Sequence, residues 1–365
     1  MRLGYNAKPD DSVLARTGTH RGNLPDDGAL AELLTQVGLG PGDTLDDRFL
    51  LTEVIRRGIV GAVFKAEDLN NQNQAVAVKL PRLGMDSNPA SYARFEREEQ
   101  IGCKLDHPLL LKFMPLNGSR CRPYIVTEYL RGSTLSQILR QTRPLPEKDA
   151  LKFASLICEA LQYLHAHGVV HRDIKPGNVM ICSDGTLRVL DFGISLVSES
   201  GGNGFVGFTP VMGTPDYIAP EQIKGRRGDQ RTDVYSLGAT LYEMLTGTPP
   251  FDGDDPFVIM NTRMSGDPLP PRKRNPNVSP QAEEICLRAL QRDPARRYPT
   301  AAAMKADLDA PEKVRVTGLC DSMKVSTRWS RFLLLARWLA VTCFLPLVIQ
   351  VILFFWLWHH FVKKR

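Results

Sequence analysis

Of the chain's 365 residues, 43% are hydrophobic and 24% charged, with a formal net charge of +6, enough apolar content to bury a sizeable core in one large or two modest domains. The positive excess is spread among alternating acidic and basic residues without an aromatic-interleaved basic patch, which argues against nucleic acid as a partner. Seven scattered cysteines with no CxxC pair argue for a reducing compartment and against a disulfide framework or a thiolate zinc site.

Residues 1–48, rich in Gly, Asp and Pro, lack a sustained period and read as a poorly ordered N-terminal arm. One short helix is expected there, carrying Leu30, Leu33, Leu34 and Val37 and ended by Gly38. No apolar segment stands beside Arg2 and Lys8, so no secretion signal is expected. From Phe49 the pattern becomes that of strands. Leu51, Glu53 and Ile55 lead into Arg57-Gly58-Ile59-Val60-Gly61, and Val63 to Ala66 rises as a second strand. Glycines between paired strands let the backbone approach phosphates, because a Cβ would hold it off. A third strand, Ala75 to Leu80, sets Lys79 among residues expected to be buried, where its charge needs a partner or a phosphate. A helix over 91–105 carries Glu98, with Glu96 and Glu99 on other faces. Strands near 112–116 and 123–128 follow. A long helix over 147–167 has Ala150, Ala154, Ile157, Leu161 and Leu164 at alternating steps of 4 and 3, a core stripe ended by Gly168.

Next comes His171-Arg172-Asp173-Ile174-Lys175-Pro176-Gly177-Asn178, then a strand over 186–190 that delivers Asp191-Phe192-Gly193. Asp173 can take the proton of an attacking hydroxyl, and Asn178 and Asp191 can hold Mg²⁺ on a nucleoside triphosphate. Lys175 can stand beside the transferred phosphoryl. Phosphoryl transfer needs placement and neutralised charge more than covalent help from the protein. Further on lie Gly213-Thr214-Pro215-Asp216-Tyr217-Ile218-Ala219-Pro220-Glu221, an apolar helix opened by Asp233, and Asp293-Pro294-Ala295-Arg296-Arg297. In this order and spacing the motifs resemble the eukaryotic-type (Hanks-type) serine/threonine protein kinase family, over residues 49–310.

The resemblance implies an α+β, two-lobed protein-kinase fold, with a small, mainly β N-lobe holding one key helix and a large, mainly α C-lobe. It implies ATP with Mg²⁺, or Mn²⁺ in its place, and protein substrates bearing Ser or Thr. Nucleotide binding would fall to Ile55, Gly58, Gly61, Val63, Ala77, Lys79, Thr127, Glu128 and Leu130. Thr127 would limit access behind the adenine, and Glu128 to Leu130 would form the hinge. Arg56 replaces the first glycine of the phosphate loop and is expected over the adenine and ribose. Lys79 would pair with Glu98, and Asp173, Lys175, Asn178 and Asp191 would complete the catalytic set, with Asn178 and Asp191 on the metal. Gly102 stands where the family has a large apolar side chain, which predicts looser packing there. Thr214 would line the acceptor pocket. A phosphate on Thr209 would pair with Arg172, and self-association would serve that autophosphorylation. Asp233 would brace the catalytic loop, and Glu221 would pair with Arg297.

The composition then shifts. Residues 311–337 read as a basic juxtamembrane linker, and Leu339 to Trp358 contain no charge over 20 residues, a length that as a helix matches a bilayer core. Trp338, Trp356 and Trp358 stand at its edges. The expectation is a bacterial, single-pass membrane-anchored kinase. It has a transmembrane helix over 338–358, a basic tail over 359–365, the lipid bilayer as partner and a cytoplasmic kinase domain signalling at the plasma membrane. The alternative is a catalytically weak or inactive kinase-fold membrane scaffold, for which Arg56 and Gly102 are the sequence support. A small-molecule phosphotransferase would not need the run from Gly213 to Glu221.

Overall fold

Short connections join β1 (Thr44–Leu45), β2 (Phe49–Gly58), β3 (Gly61–Asp68) and β4 (Gln74–Pro81) into an antiparallel sheet in chain order, which β5 (Ile125–Glu128) completes beside β4 after a longer connection. The computed structural model describes residues 37–58, 61–85, 89–191, 215–226, 228–253, 255–323 and Trp356. On β3, Ala62, Phe64, Ala66 and Asp68 are buried and the residues between them are not. The apolar members of that face join Val37, Leu45, Phe49, Leu51, Val78 and Val126 in one core. On the other face Val63 lies opposite Lys79, and Ala77 opposite Thr127; direct cross-strand partners share a face. β2 carries two bulges, at Thr52 and Ile55. It pairs Val54 with Phe64 and Arg56 with Val63, so Ile55 has no partner in the ladder. Together the two extra residues leave the strand's faces as they were but shift its register by two, which puts Arg56 in the row of Val63 and Lys79.

The helix α1 (Pro89–Gly102) follows β4. The strand expected near 112–116 is reduced to a bridge between Phe113 and Thr127, with Met114 N–H donating to Val126 O at 2.8 Å. Phe113 also corrects the expectation of slack at Gly102. A Cβ there would lie 2.5 Å from the ring of Phe113, which is buried, so the aromatic ring already fills the space. Gly102→Ala gains about 1 kcal/mol of helix propensity but must displace a packed ring, which costs about 1–3 kcal/mol. The expected result is a net loss of stability, read as a lower denaturant midpoint; a higher midpoint would show that the ring gives way freely.

The large lobe opens with a three-stranded sheet, β6 (Gly132–Thr134), β7 (Val179–Cys182) and β8 (Leu187–Val189), beside α2 (Leu135–Gln141) and α3 (Glu147–Ala166). The α3 stripe, including Ala150, Ala154, Ile157, Leu161 and Leu164, is fully buried. Then come α4 (Pro220–Ile223), α5 (Gln230–Thr246), α6 (Pro256–Ser265), α7 (Pro271–Arg274), α8 (Pro280–Ala289) and α9 (Ala301–Asp309). α5 is buried all round, from Thr232 to Leu245 apart from Glu243. That is the mark of a central helix, and it packs on α3, α8 and α9. Its ends are set locally: the Asp229 side chain accepts from Arg231 N–H, and Gly247 takes the left-handed conformation at φ 79°.

The two-lobed part of the expected fold is present, and the membrane part is corrected. Among the described residues no helix is long and apolar enough to cross a membrane. Apart from Trp356, residues 338–358 lie outside the described residues, as do the tail at 359–365 and the short helix expected before Gly38, save Val37. An uncharged run of 20 residues meets only the length condition for a span. The membrane-anchored form, the lipid bilayer as partner and the assignment to a cytoplasmic face of the plasma membrane are therefore withdrawn.

Candidate active site

Lys79 on β4 and Glu98 on α1 form an ion pair, and the Lys79 ammonium also lies 3.7 Å from Asp191 Oδ1. Burial works to lower the Lys79 pKa, but Asp191 and Glu98 together outweigh it and hold the ammonium above the usual lysine value. Asp191 follows β8 with φ 38°, a left-handed conformation unusual for a side chain other than glycine. Burial would raise its pKa, but Lys79, Arg56, His171 and Lys175 hold it below the usual carboxylate range. Glu99, one residue on from Glu98, faces elsewhere and pairs with Arg120 at 2.6 Å.

The loop before β7 gathers the second group. Lys175 Nζ donates to both carboxylate oxygens of Asp173, at 2.9 and 2.7 Å, and Asn178 Nδ2 donates to Asp173 Oδ2 at 2.7 Å. Leu190 N–H donates to Asn178 O at 2.8 Å, which brings the residue before Asp191 alongside the loop. His171 is fully buried. Its Nδ1 accepts from Asp173 N–H at 3.2 Å, so Nε2 carries the proton and donates to Leu190 O at 3.0 Å. Below the loop, buried Asp233 accepts the backbone N–H groups of His171 and Arg172 at 2.9 and 2.7 Å. That second bond holds Arg172 in its left-handed conformation, φ 64°.

A divalent cation is tested by the donor set. Asn178 Oδ1 is buried and has no hydrogen-bond partner among the described residues. An open amide oxygen near an ionised carboxylate suits a hard, oxygen-seeking cation such as Mg²⁺. The phosphate loop is tested by Gly61, where a Cβ would stand 2.0 Å from Leu80 O. Only glycine lets β3 start this close to β4.

Of the other expected nucleotide residues, Val63, Ala77, Lys79 and Thr127 share one sheet face. Ile55 is a bulged residue and is 47% exposed. Gly58 closes β2 opposite Gly61. Glu128 turns its carboxylate to Lys112 N–H at 3.0 Å and toward Arg188 at 3.7 Å, and Leu130 follows it, half-buried, before β6. Glu221 and Arg297 meet through two bonds of 2.7 and 2.8 Å. Thr209, Thr214, Phe192 and Gly193 lie outside the described residues.

Three residues take positions or roles that differ from the sequence expectation. Arg56, expected over the adenine and ribose, reaches Asp191: its Nη1 is 3.3 Å from Asp191 Oδ2. His165 Nε2 bonds Asp233 Oδ2 at 2.8 Å. Its position four residues after Leu161 on a buried stripe was the signal, since a polar residue there needs a partner. Arg263, fully buried on α6, donates to the carbonyls of Asp216 and Ile218 and so pins the end of the Gly213 to Glu221 run; nothing in its local sequence marks it.

The protein kinase domain family matches residues 49–308 of the chain. The chain belongs to the protein kinase domain family. Its kinase domain is similar to the serine/threonine-protein kinase PknB of Mycolicibacterium smegmatis, 40% identical over 268 residues that cover 72% of this chain and 43% of that protein. PknB of Mycobacterium tuberculosis is 39% identical over 268 residues, with the same coverage. A probable serine/threonine-protein kinase of Streptomyces coelicolor is 38% identical over 270 residues, covering 73% of this chain and 40% of that protein. The chain thus spans less than half the length of the relatives it matches.

Proposed function

We propose that this chain is an ATP-dependent serine/threonine protein kinase. The observation that carries the reading is the Lys79 ammonium held between Glu98 and Asp191, with Asp173 joined to Lys175 and Asn178 on the facing loop. In this reading Lys79, oriented by Glu98, holds the α- and β-phosphates of ATP. Gly58 and Gly61 admit the backbone to the phosphates, and the face bearing Val63, Ala77 and Thr127 receives the adenine. Asn178 Oδ1 and the Asp191 carboxylate hold the metal. Bound Mg²⁺ supplies neutralisation of charge on the phosphate oxygens. Asp173 receives the proton of the substrate Ser or Thr hydroxyl as its oxygen bonds to the γ-phosphorus. The bond from that phosphorus to the bridging oxygen breaks, and ADP leaves. Lys175 offsets charge on the transferred group and steadies Asp173.

The inactive-scaffold reading loses one of its two supports, because Phe113 fills the space at Gly102. The test is incorporation of labelled phosphate from ATP and Mg²⁺ into a generic protein by the full chain, followed by identification of the phosphorylated residues. Phosphoserine or phosphothreonine with wild-type protein and none above background with Lys79→Met is expected. Incorporation at the wild-type rate by Lys79→Met, or labelling of tyrosine alone, would overturn the reading.

A further inference from the structure

Arg56 owes its place in the ladder to two bulges in β2, the second at Ile55. Without the second, Ile55 would stand opposite Val63; with it, Arg56 does, and Val63 in turn stands opposite Lys79. Two cations of one cross-strand row therefore reach one carboxylate. Lys79 Nζ is 3.7 Å from Asp191 Oδ1, and Arg56 Nη1 is 3.3 Å from Asp191 Oδ2. The second contact links residues 135 apart in the chain and joins the small-lobe sheet to the segment after β8. A divalent cation bonding Asp191 takes up the same oxygen lone pairs that the guanidinium engages.

We propose that Arg56 is a resident cation on Asp191 that an entering Mg²⁺ displaces, so that residue 56 sets part of the magnesium requirement for nucleotide binding. The inference rests on the reading of Asp191 as a metal ligand. The competition is mild by construction. The Arg56 and Asp191 side chains are 51% and 36% exposed, and an ion pair so placed shifts a competing equilibrium by no more than about fivefold. Arg56 thus raises the magnesium concentration needed without closing the site. Lys79 keeps its pair with Glu98 and does not have to leave when the metal arrives.

The experiment follows ADP binding to the full chain by titration calorimetry at a series of free Mg²⁺ concentrations, for the wild type, Arg56→Gln, Arg56→Lys and Asp191→Asn. Arg56→Gln is expected to reach half-maximal binding at roughly two- to fivefold lower free Mg²⁺ than the wild type. Arg56→Lys, which keeps the charge, is expected to stay near the wild type, and Asp191→Asn to lose the magnesium dependence. An unchanged or higher requirement in Arg56→Gln, with Asp191→Asn behaving as expected, overturns the role of Arg56 and leaves Asp191 as the metal ligand. An equal fall in Arg56→Gln and Arg56→Lys overturns it too, because loop packing and not charge would be the cause. A wild type indifferent to Mg²⁺, or an Asp191→Asn form that responds as the wild type does, overturns the metal assignment and the inference with it.

Discussion

Asp173→Asn lowers the rate of phosphoryl transfer by ~10²–10⁴-fold, the range a positioned general base contributes, while nucleotide binding stays at the wild-type level. The substitution keeps size and shape. It removes one acceptor oxygen from a carboxylate that accepts from Lys175 and Asn178, and it removes the place for the hydroxyl proton. The Asp233 bonds to the loop backbone do not involve the Asp173 side chain, so the loop itself is expected to persist. Single-turnover transfer beside calorimetric nucleotide binding separates the two effects. A loss smaller than about tenfold in the chemical step would mean that Asp173 does not act as a base.

Arg297→Ala destabilises the domain by about 3–5 kcal/mol, because it leaves a buried carboxylate without its countercharge. Arg297 is 3% exposed and Glu221 9%. Besides its two bonds to Glu221, the guanidinium donates to the carbonyls of Gln291, Arg231 and Arg292, and Thr232 Oγ1 donates to Glu221 Oε1 at 2.9 Å. Removing both charges is a milder change: Glu221→Leu with Arg297→Met is expected to recover most of the loss, since a buried pair replaced by apolar groups of like volume is often near neutral. Burial raises the Glu221 pKa, but the bonds and charge of Arg297 outweigh it and hold the carboxyl below its usual value. The folded pKa is thus depressed. The pair's contribution is complete above the ordinary glutamate value of about 4.3 and is lost as pH falls through the lower folded value. Urea midpoints of the three forms between neutral and acid pH measure this. A double variant no more stable than Arg297→Ala would place the cost in packing and not in stranded charge.

The candidate catalytic residues were legible because each lies in a short motif whose spacing is set by one turn or one strand. Asp173, Lys175 and Asn178 fall within a single loop, and the structure ties them by hydrogen bonds between near neighbours. The α3 stripe was legible for the same reason, since a step of 4 and 3 expresses local helix geometry. The uncharged stretch beyond Trp338 was read with the same local logic and led too far. Length and hydropathy state only what a segment could do, and among the described residues no helix is long and apolar enough to cross a membrane.

Alternation and helix period by themselves marked the strands of the small lobe and the buried stripe of α3, and the order and spacing of the motifs carried the resemblance from which the two lobes were expected. Long-range partners outside the motifs were decided only by the tertiary structure. Two bulges in β2, at Thr52 and Ile55, shift its register by two and set Arg56 in the row of Lys79, from which it reaches Asp191. Gly102 reads as a gap until Phe113, 11 positions on, is seen to fill it. His165 and Arg263 acquire roles only when α3 and α6 pack against segments that the chain reaches by distant routes. Periodicity is fixed by neighbours along the backbone, whereas such pairings depend on register and packing accumulated over the whole fold.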